Sequence, residues 1–246
     1  MSPDELQIWL NHFEYHAEHP RSIPAGLDDL LSADERSLIA SSIATFQLGE
    51  QSEGSTLTCA AQRFACAHRI PSLVRIMELF IREEQRHAAL LRSFMDDHHI
   101  PLKSRDWTDQ LFRRARRLAG LELYLCVLIT AELIGNVYYR ALAVATGCQR
   151  LQVLCRTLVA DELVHVAFES QLLLALRAAR PLGSQFTVRL IHRGFLAGTA
   201  WVVWWTHRSL LRHSGYDART FVRLCLAQYD FYLEPIKVTL APTSVP

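Results

Sequence analysis

Two Glu-x-x-His motifs interrupt apolar helical repeats, and they restrict the folds that this chain can adopt. The motifs are Glu84–His87 and Glu162–His165. Residues three apart on a helix lie on one face, so each motif presents a carboxylate and an imidazole together. Glu50 and Glu132 occupy core positions of the helices that precede the two motifs. Because unpaired buried charge is costly, the repeats must bring these side chains to a common, compensated site.

Long stretches without glycine or proline predict an all-α fold. The 246 residues include ten glycines and nine prolines, and strand-like alternation is nearly absent. Apolar residues recur at three- and four-residue spacing, which is typical of helices in a bundle interior. The capping box Ser32-x-x-Glu35 predicts the start of a first bundle helix whose apolar seam continues to Phe64. A second helix is predicted from about Pro71 to His98.

Further helices are predicted on both sides of this pair. The third bundle helix is expected to end near Thr146, before Gly147, and the fourth to span about Gln149–Ala179. Helices outside the bundle are predicted over about 3–19, 185–213 and 218–233. The predicted architecture is an all-α four-helix bundle with an N-terminal helix and two additional C-terminal helices. Its parts are the N-terminal helix and linker (1–26), the bundle (27–180), and the C-terminal extension and tail (181–246).

Charge and cysteine content argue against several classes of protein. The 26 basic and 25 acidic residues leave a net charge of +1, so neither nucleic acid nor a membrane is expected as a partner. The six cysteines form no C-x-x-C pair, which argues against a disulfide framework or a structural zinc site. The N-terminus lacks a signal-peptide pattern, and the most apolar run, Phe195–Trp205, is about half a membrane span. A cytoplasmic protein is expected.

The spacing of the acidic residues predicts that they meet at one level of the bundle. Two antiparallel helices place residues at equal height when the midpoint of those residues falls in the turn between the helices. The midpoint of Glu132 and Glu162 is residue 147, the predicted glycine turn. The midpoint of residues 50 and 84 is 67, and that of residues 53 and 84 is 68.5, close to the break before the second helix. Glutamates from four helices should therefore converge, where bound cations would make their burial tolerable.

These motifs resemble those of the ferritin-like superfamily over about residues 33–180. Glu83-Glu84-x-x-His87 and Asp161-Glu162-x-x-His165 are similar to motifs of its oxygen-activating branch, which includes acyl-carrier-protein desaturases, bacterial multicomponent monooxygenases and the ribonucleotide reductase small subunit. Gly49-Glu50 instead resembles rubrerythrin. On the first helix Glu50 is preferred as the ligand, and Glu53 is kept as its rival or as an additional, shifting carboxylate. The metal ligands that the resemblance implies are Glu50, Glu53, Glu84, His87, Glu132, Glu162 and His165.

The resemblance also implies partners for the histidines and an identity for the metals. In that family the acidic residue before a ligand glutamate hydrogen-bonds the histidine of the opposite helix, which predicts Asp161 with His87 and Glu83 with His165. Carboxylate-rich ligation without thiolates favours two iron ions, with a manganese–iron pair as the alternative, and O2 as co-substrate. Tyr139, on the seam of the third helix, could hydrogen-bond near the metals, but core packing is the more frequent role for such a tyrosine.

Three functions are compatible with these motifs. The first is an O2-dependent di-iron oxidoreductase that hydroxylates, N-oxygenates or desaturates a small or carrier-bound organic substrate and takes electrons from an external donor. The second is iron handling or peroxide detoxification, as in bacterioferritin and rubrerythrin, and the third is a helical scaffold with a degenerate or zinc-filled site. The C-terminal extension favours the first, because an organic substrate must be enclosed. A homodimer is one assembly that the sequence allows.

Several other residues have both a functional and a structural interpretation. The run Trp201–Trp205 holds three tryptophans, which are expected to pack against the bundle or, as a sharper hypothesis, to wall a tunnel to the metals. Glu169 could be an extra ligand, but a solvated or ion-paired side chain is expected. His12 and His16 are expected at the surface. The basic patch at 113–117 is expected to be a solvated helix face rather than a docking site for an acidic partner.

Overall fold

The structure is a computed structural model that describes residues 1–51, 54–104, 120–178 and 180–233. Over these ranges every regular element is helical and no strand occurs, so the all-α prediction is confirmed. The helices are α1 (Pro3–Glu18), α2 (Ala33–Glu50), α3 (Ser55–His68), α4 (Pro71–Asp97), α5 (Leu121–Val144), α6 (Gln149–Ala178), α7 (Leu182–Thr206), α8 (Arg208–His213) and α9 (Ala218–Leu233).

Local signals fix several of these boundaries. Ser32 accepts a hydrogen bond from the Glu35 amide, and the Glu35 side chain accepts one from the Ser32 amide, which completes the predicted capping box of α2. Pro71 opens α4, where its missing N–H costs nothing. Arg69 ends α3 in the left-handed conformation, with φ of 57°. Each signal lies within a few residues of the helix end that it sets, so these boundaries could be predicted without knowledge of the tertiary structure.

The predicted continuous first bundle helix is wrong, because the structure divides it into α2 and α3. Gly54 precedes α3 with φ of +67°, a conformation that side chains larger than hydrogen rarely adopt. A Cβ at this position would lie 2.5 Å from the side chain of Ile81 on α4. Close approach to α4 therefore favours glycine here, next to the break. Glu53, the rival ligand, lies outside the described residues.

The predicted single helix over 185–213 is also divided, into α7 and α8. The division falls at His207, whose side chain is buried and whose Nδ1 lies 2.8 Å from Ser42 Oγ on α2. This contact ties the bend between α7 and α8 to the bundle. Because the tie joins residues 165 positions apart, no local pattern predicts it.

The helices pack as two hairpins with additions on either side. In the first hairpin α2 and α3 pack against α4, and in the second α5 packs along α6. On one side α1 packs on α4, where Phe13 contacts Phe80, and on the other α7 and α9 pack on each other and on α5. Within the described ranges α5 alone is long and apolar enough to cross a membrane, and 83% of that stretch is buried inside the protein. Such burial is typical of a core helix in a soluble protein.

Candidate metal centre

Four buried side chains from α4 and α6 form a group that could hold a metal ion. Glu84, His87, Glu162 and His165 each offer one ligand atom, and these atoms all lie within 4.8 Å of one another. The four residues are at most 8% exposed. The Glu-x-x-His spacing puts two donors of each helix on one face, and the antiparallel packing of α4 on α6 turns those faces toward each other.

Both imidazoles turn Nδ1 toward the glutamates and Nε2 away from them. His87 Nδ1 lies 3.0 Å from Glu162 Oε1, and His165 Nδ1 lies 3.0 Å from Glu84 Oε1. His87 Nε2 lies 3.1 Å from Asp161 Oδ2. An N–H at Nε2 that donates to this carboxylate leaves the Nδ1 lone pair available for a metal ion.

The second histidine repeats this arrangement. His165 Nε2 lies 3.1 Å from Glu83 Oε2. The structure thus brings together both pairs that the resemblance implies, Asp161 with His87 and Glu83 with His165. Each pair joins α4 to α6. We call Asp161 and Glu83 the outer carboxylates, and their contacts also hold the two helices in register.

Glu50 and Glu132 flank this group from α2 and α5. Glu132 is buried and its carboxyl shares a hydrogen bond with Glu162. Burial first, and then the negative charges of Glu162 and Glu84, raise the pKa of Glu132 well above its usual range. The pKa of Glu50 is raised in the same way, by burial and then by the charges of Glu84 and Glu162. Carboxylates from α2, α4, α5 and α6 therefore converge, as the midpoints predict.

Tyr139 packs in the core and also hydrogen-bonds a candidate metal ligand, so it has both of the roles that the sequence suggests. Its side chain is fully buried, and its hydroxyl donates to Glu50 Oε1 at 2.5 Å. Burial, followed by the charge of Glu50, raises the pKa of Tyr139 well above its usual range, so the hydroxyl stays a donor. The tyrosine thus fixes one oxygen of the α2 carboxylate.

The donor atoms of this group are better placed to bind a cation than to hydrogen-bond with one another. Glu84 Oε1, Glu162 Oε1 and His87 Nδ1 are buried without an aligned hydrogen-bond partner. Burial alone would lower the pKa of His87, but the carboxylates of Asp161 and Glu162 raise it to about 10. The cluster therefore attracts positive charge strongly, and a cation could take the position of the Nδ1 proton.

A ring of charged side chains surrounds the outer carboxylates. Asp161 forms ion pairs with Arg21, from the segment between α1 and α2, and with Arg86 of α4. Burial would raise the pKa of Asp161, but its contacts with His87 and these cations lower it. Glu83 lies 3.4 Å from Arg86 and 3.6 Å from His16 of α1. Both outer carboxylates are thus held ionised.

Sequence reasoning missed this charged ring. His12 and His16 were expected at the surface, but both are only partly exposed, and burial lowers the pKa of His12 to about 4. The only local signal was Arg86, which lies inside the first Glu-x-x-His motif. Arg21 lies in a segment without periodicity, so nothing in the sequence connected it to Asp161.

The expectation that Glu169 is solvated or ion-paired is wrong. Glu169 lies one turn beyond His165 on α6 and is 1% exposed, and neither of its oxygens has a hydrogen-bond partner among the described residues. Burial, despite the attraction of His165, raises the pKa of Glu169 well above its usual range. It is therefore a buried carboxyl group near the candidate centre, outside the group of four closest donors.

An apolar cavity lies directly on the carboxylates. Glu50, Glu84 and Glu132 are part of its lining, and its volume is about 140 Å³. An apolar wall with a few polar groups is typical of ligand-binding cavities. The apolar and aromatic side chains of the lining are Phe46, Leu57, Phe80, Ile81, Tyr124, Val127, Leu128, Ala131, Ile134 and Val203.

The run over residues 200–208 reaches this cavity, but its three tryptophans do not line it. Val203 and His207 are the residues of this region that line it. Trp204 is buried and donates its indole N–H to the carbonyl of Tyr216 at 3.0 Å. Trp201 and Trp205 point outward instead. The helix face that reaches the cavity is therefore opposite the one that carries Trp201 and Trp205.

A second acidic group, Asp29 with His98 and Cys148, has metal-like spacing but is already compensated. His98 Nε2 lies 2.9 Å from Asp29 Oδ1, and Arg150 donates to Asp29 Oδ2 at 2.7 Å. The guanidinium supplies the positive charge that a cation would bring. The basic patch at 113–117 lies outside the described residues.

No protein-family model, curated protein or solved structure matches this chain. The arguments for a function therefore rest on the geometry of this site and on the chemistry of its donors.

Proposed function

We propose that this chain is a ferritin-like di-metal oxidoreductase that uses two iron ions and O2 to oxidise an apolar organic substrate. One observation carries the proposal: three carboxylates at the candidate metal centre also line an apolar cavity. A site for metal storage alone does not need such a cavity. An oxidising enzyme needs one, because its substrate must reach the metals while water is kept away.

The residues that would hold the metals are those with convergent donors. His87 and His165 would each bind through Nδ1, and Glu84 and Glu162 lie between them. Glu50 and Glu132 would complete the set from α2 and α5. Two ferrous ions, when bound, would supply electrons for the reduction of O2, and an external donor would restore them.

The side chains of the protein would orient the metal ligands, shield the centre from water and position the substrate. Asp161 and Glu83 hold the Nε2–H of the two imidazoles, so that each ring keeps one tautomer and one orientation. Tyr139 donates to Glu50 and restrains that carboxylate. The apolar cavity wall excludes water and favours a substrate whose reacting part is a hydrocarbon or an aromatic ring.

Metal quantification after anaerobic iron loading tests the proposal. About two irons per chain are expected, as in carboxylate-bridged di-iron bundles, with an optical band on addition of O2. Glu84→Ala and His165→Ala should lose iron and keep their helical circular dichroism. Glu78→Ala removes an exposed glutamate of the same helix and should keep the iron.

Two outcomes would contradict this proposal. Full iron occupancy in Glu84→Ala or His165→Ala would show that the ligand assignment is wrong. A 24-subunit shell in gel filtration, with iron deposited as mineral, would favour iron storage over oxidation of an organic substrate.

A further inference from the structure

One side of α7 exposes large apolar side chains over most of its length. We define the α7 outer face as Leu182, Phe186, Leu190, Ile191, Gly194, Gly198, Trp201 and Trp205. Its six large side chains are between 53% and 83% exposed. From residue 182 to 205 the face extends over about 35 Å at the rise of an α-helix. Soluble monomers rarely expose a continuous apolar surface of this size.

The face carries no charge. Every residue of α7 is described, and none of its exposed positions is acidic or basic. The two arginines of α7, Arg189 and Arg193, are only partly exposed. Arg193 pairs with Asp230 on α9, at 2.9 and 3.1 Å. Depletion of charge at the centre of a patch is typical of a protein–protein interface.

The area matches the requirement of a stable dimer. Taking ~150–250 Å² for a whole large side chain, the exposed parts of the six large residues amount to roughly 800 Å². A specific interface buries about 800 Å² on each partner. The exposed apolar area of the α7 outer face is therefore of the size that a specific interface buries on one partner.

The distribution of side chains is self-complementary under a two-fold axis. Gly194 and Gly198 form a narrow waist, and no atom lies within 4 Å of a Cβ built at either position. If two α7 helices cross antiparallel at this waist, Gly194 meets Gly198 of the partner subunit. Trp201 then reaches Ile191 of the partner subunit, and Leu190 and Phe186 lie within one residue of the level of the partner's Trp201 and the partner's Trp205. A two-fold interface requires this kind of self-matching surface.

We propose that the α7 outer face is the interface between two copies of this chain, in an antiparallel two-fold dimer. The glycine waist favours a second helix over a lipid surface as the occupant, because close approach of two backbones requires small residues at the crossing. The interface lies on the far side of α7 from Val203, which lines the cavity, so it leaves the candidate metal centre enclosed within each chain.

Sedimentation velocity and light scattering of the full chain at micromolar concentration test this proposal. The wild type is expected at twice the chain mass of 28.1 kDa. Ile191→Arg places a charged side chain within the apolar interface and should weaken the dimer by at least ~100-fold. Thr187→Arg, a second exposed position on the same side of α7, should act in the same direction. Val144→Arg, at an exposed apolar position on α5, is the matched control and should stay dimeric.

Three results would overturn the proposal. The first is a monomeric wild type. The second is a dimer that persists in both arginine variants while their circular dichroism and iron content match the wild type, because the interface then lies elsewhere. The third is a wild-type monomer that floats with phosphatidylcholine–phosphatidylglycerol vesicles, which would identify the face as a membrane contact.

Discussion

Arg21 forms an ion pair with Asp161, a residue 140 positions away that also contacts His87 of the candidate metal centre. The carbonyl of Arg21 accepts a hydrogen bond from Arg86, which pairs with the same aspartate. The segment between α1 and α2 therefore covers the outer side of the centre. It links the N-terminal helix to the orientation of a candidate ligand.

Removal of these cations should weaken metal binding without removing a ligand. Arg21→Ala and Arg86→Ala leave Asp161 buried with less compensation, so His87 is held less firmly. Loss of such outer partners typically costs about 10–100-fold in metal affinity. Iron affinity can be measured by competition with a chelator, and Arg92→Ala, at an exposed arginine of α4, is the control. Wild-type affinity in the Arg21→Ala, Arg86→Ala double variant would contradict this role.

Glu169 should be a source of instability in the metal-free protein. Both of its oxygens are buried without a hydrogen-bond partner, which typically costs about 1–3 kcal/mol. Glu169→Leu replaces the carboxyl with an apolar group of similar volume and should raise the free energy of unfolding by about that amount. Chemical denaturation of the metal-free chain measures this change.

A matched variant separates burial of a polar group from loss of charge. Glu169→Gln keeps a buried polar group of the same shape, so it should give little of the gain seen with leucine. Equal stabilisation by both variants would mean that Glu169 is charged and repelled by Glu84 and Glu162, rather than neutral and unsatisfied.

Stability at acid pH should depend on His192, a buried residue of α7 away from the centre. Burial, and then the charge of Arg177, lowers the pKa of His192 to about 4, against 6.5 in the unfolded chain. The unfolded state therefore binds the proton more tightly between these values, and stability falls as pH drops from 6.5 toward 4. The loss from this one group is at most about 3 kcal/mol.

The difference between the wild type and His192→Gln isolates this contribution. Urea unfolding of the variant at pH 7, 5.5 and 4.5 should show a shallower loss of stability than the wild type. His213→Gln, at an exposed histidine of α8, should keep the wild-type slope. Parallel curves for wild type and His192→Gln would show that His192 does not titrate differently on folding.

The positions of most helices and the common level of the carboxylates could be predicted, because both depend on the spacing of residues along the sequence. The helical repeat fixes which residues share a face with Glu84 and Glu162, and the turns fix their heights. The break before Gly54 could not be predicted, because it depends on the approach of Ile81 from another helix. The burial of Glu169 was missed for a related reason. A helix wheel gives the direction of a side chain, but only the packed neighbours decide whether water reaches it.

The cavity should bind an apolar molecule independently of catalysis. Ala131 lines the cavity from α5, next to Glu132, and is exposed, so it lies at the open side of the cavity. Ala131→Phe adds an aromatic ring within that space, so it should reduce the affinity for the fluorescent apolar probe 1-aminoanthracene by at least ~10-fold, about 1.4 kcal/mol. Iron content should stay at the wild-type level, because no donor is changed. Ala17→Phe adds the same ring at an exposed position of α1 and should leave both affinity and iron content unchanged. If Ala131→Phe bound the probe as tightly as the wild type, the probe would lie elsewhere, and the cavity could not be the place where an organic substrate meets the metals.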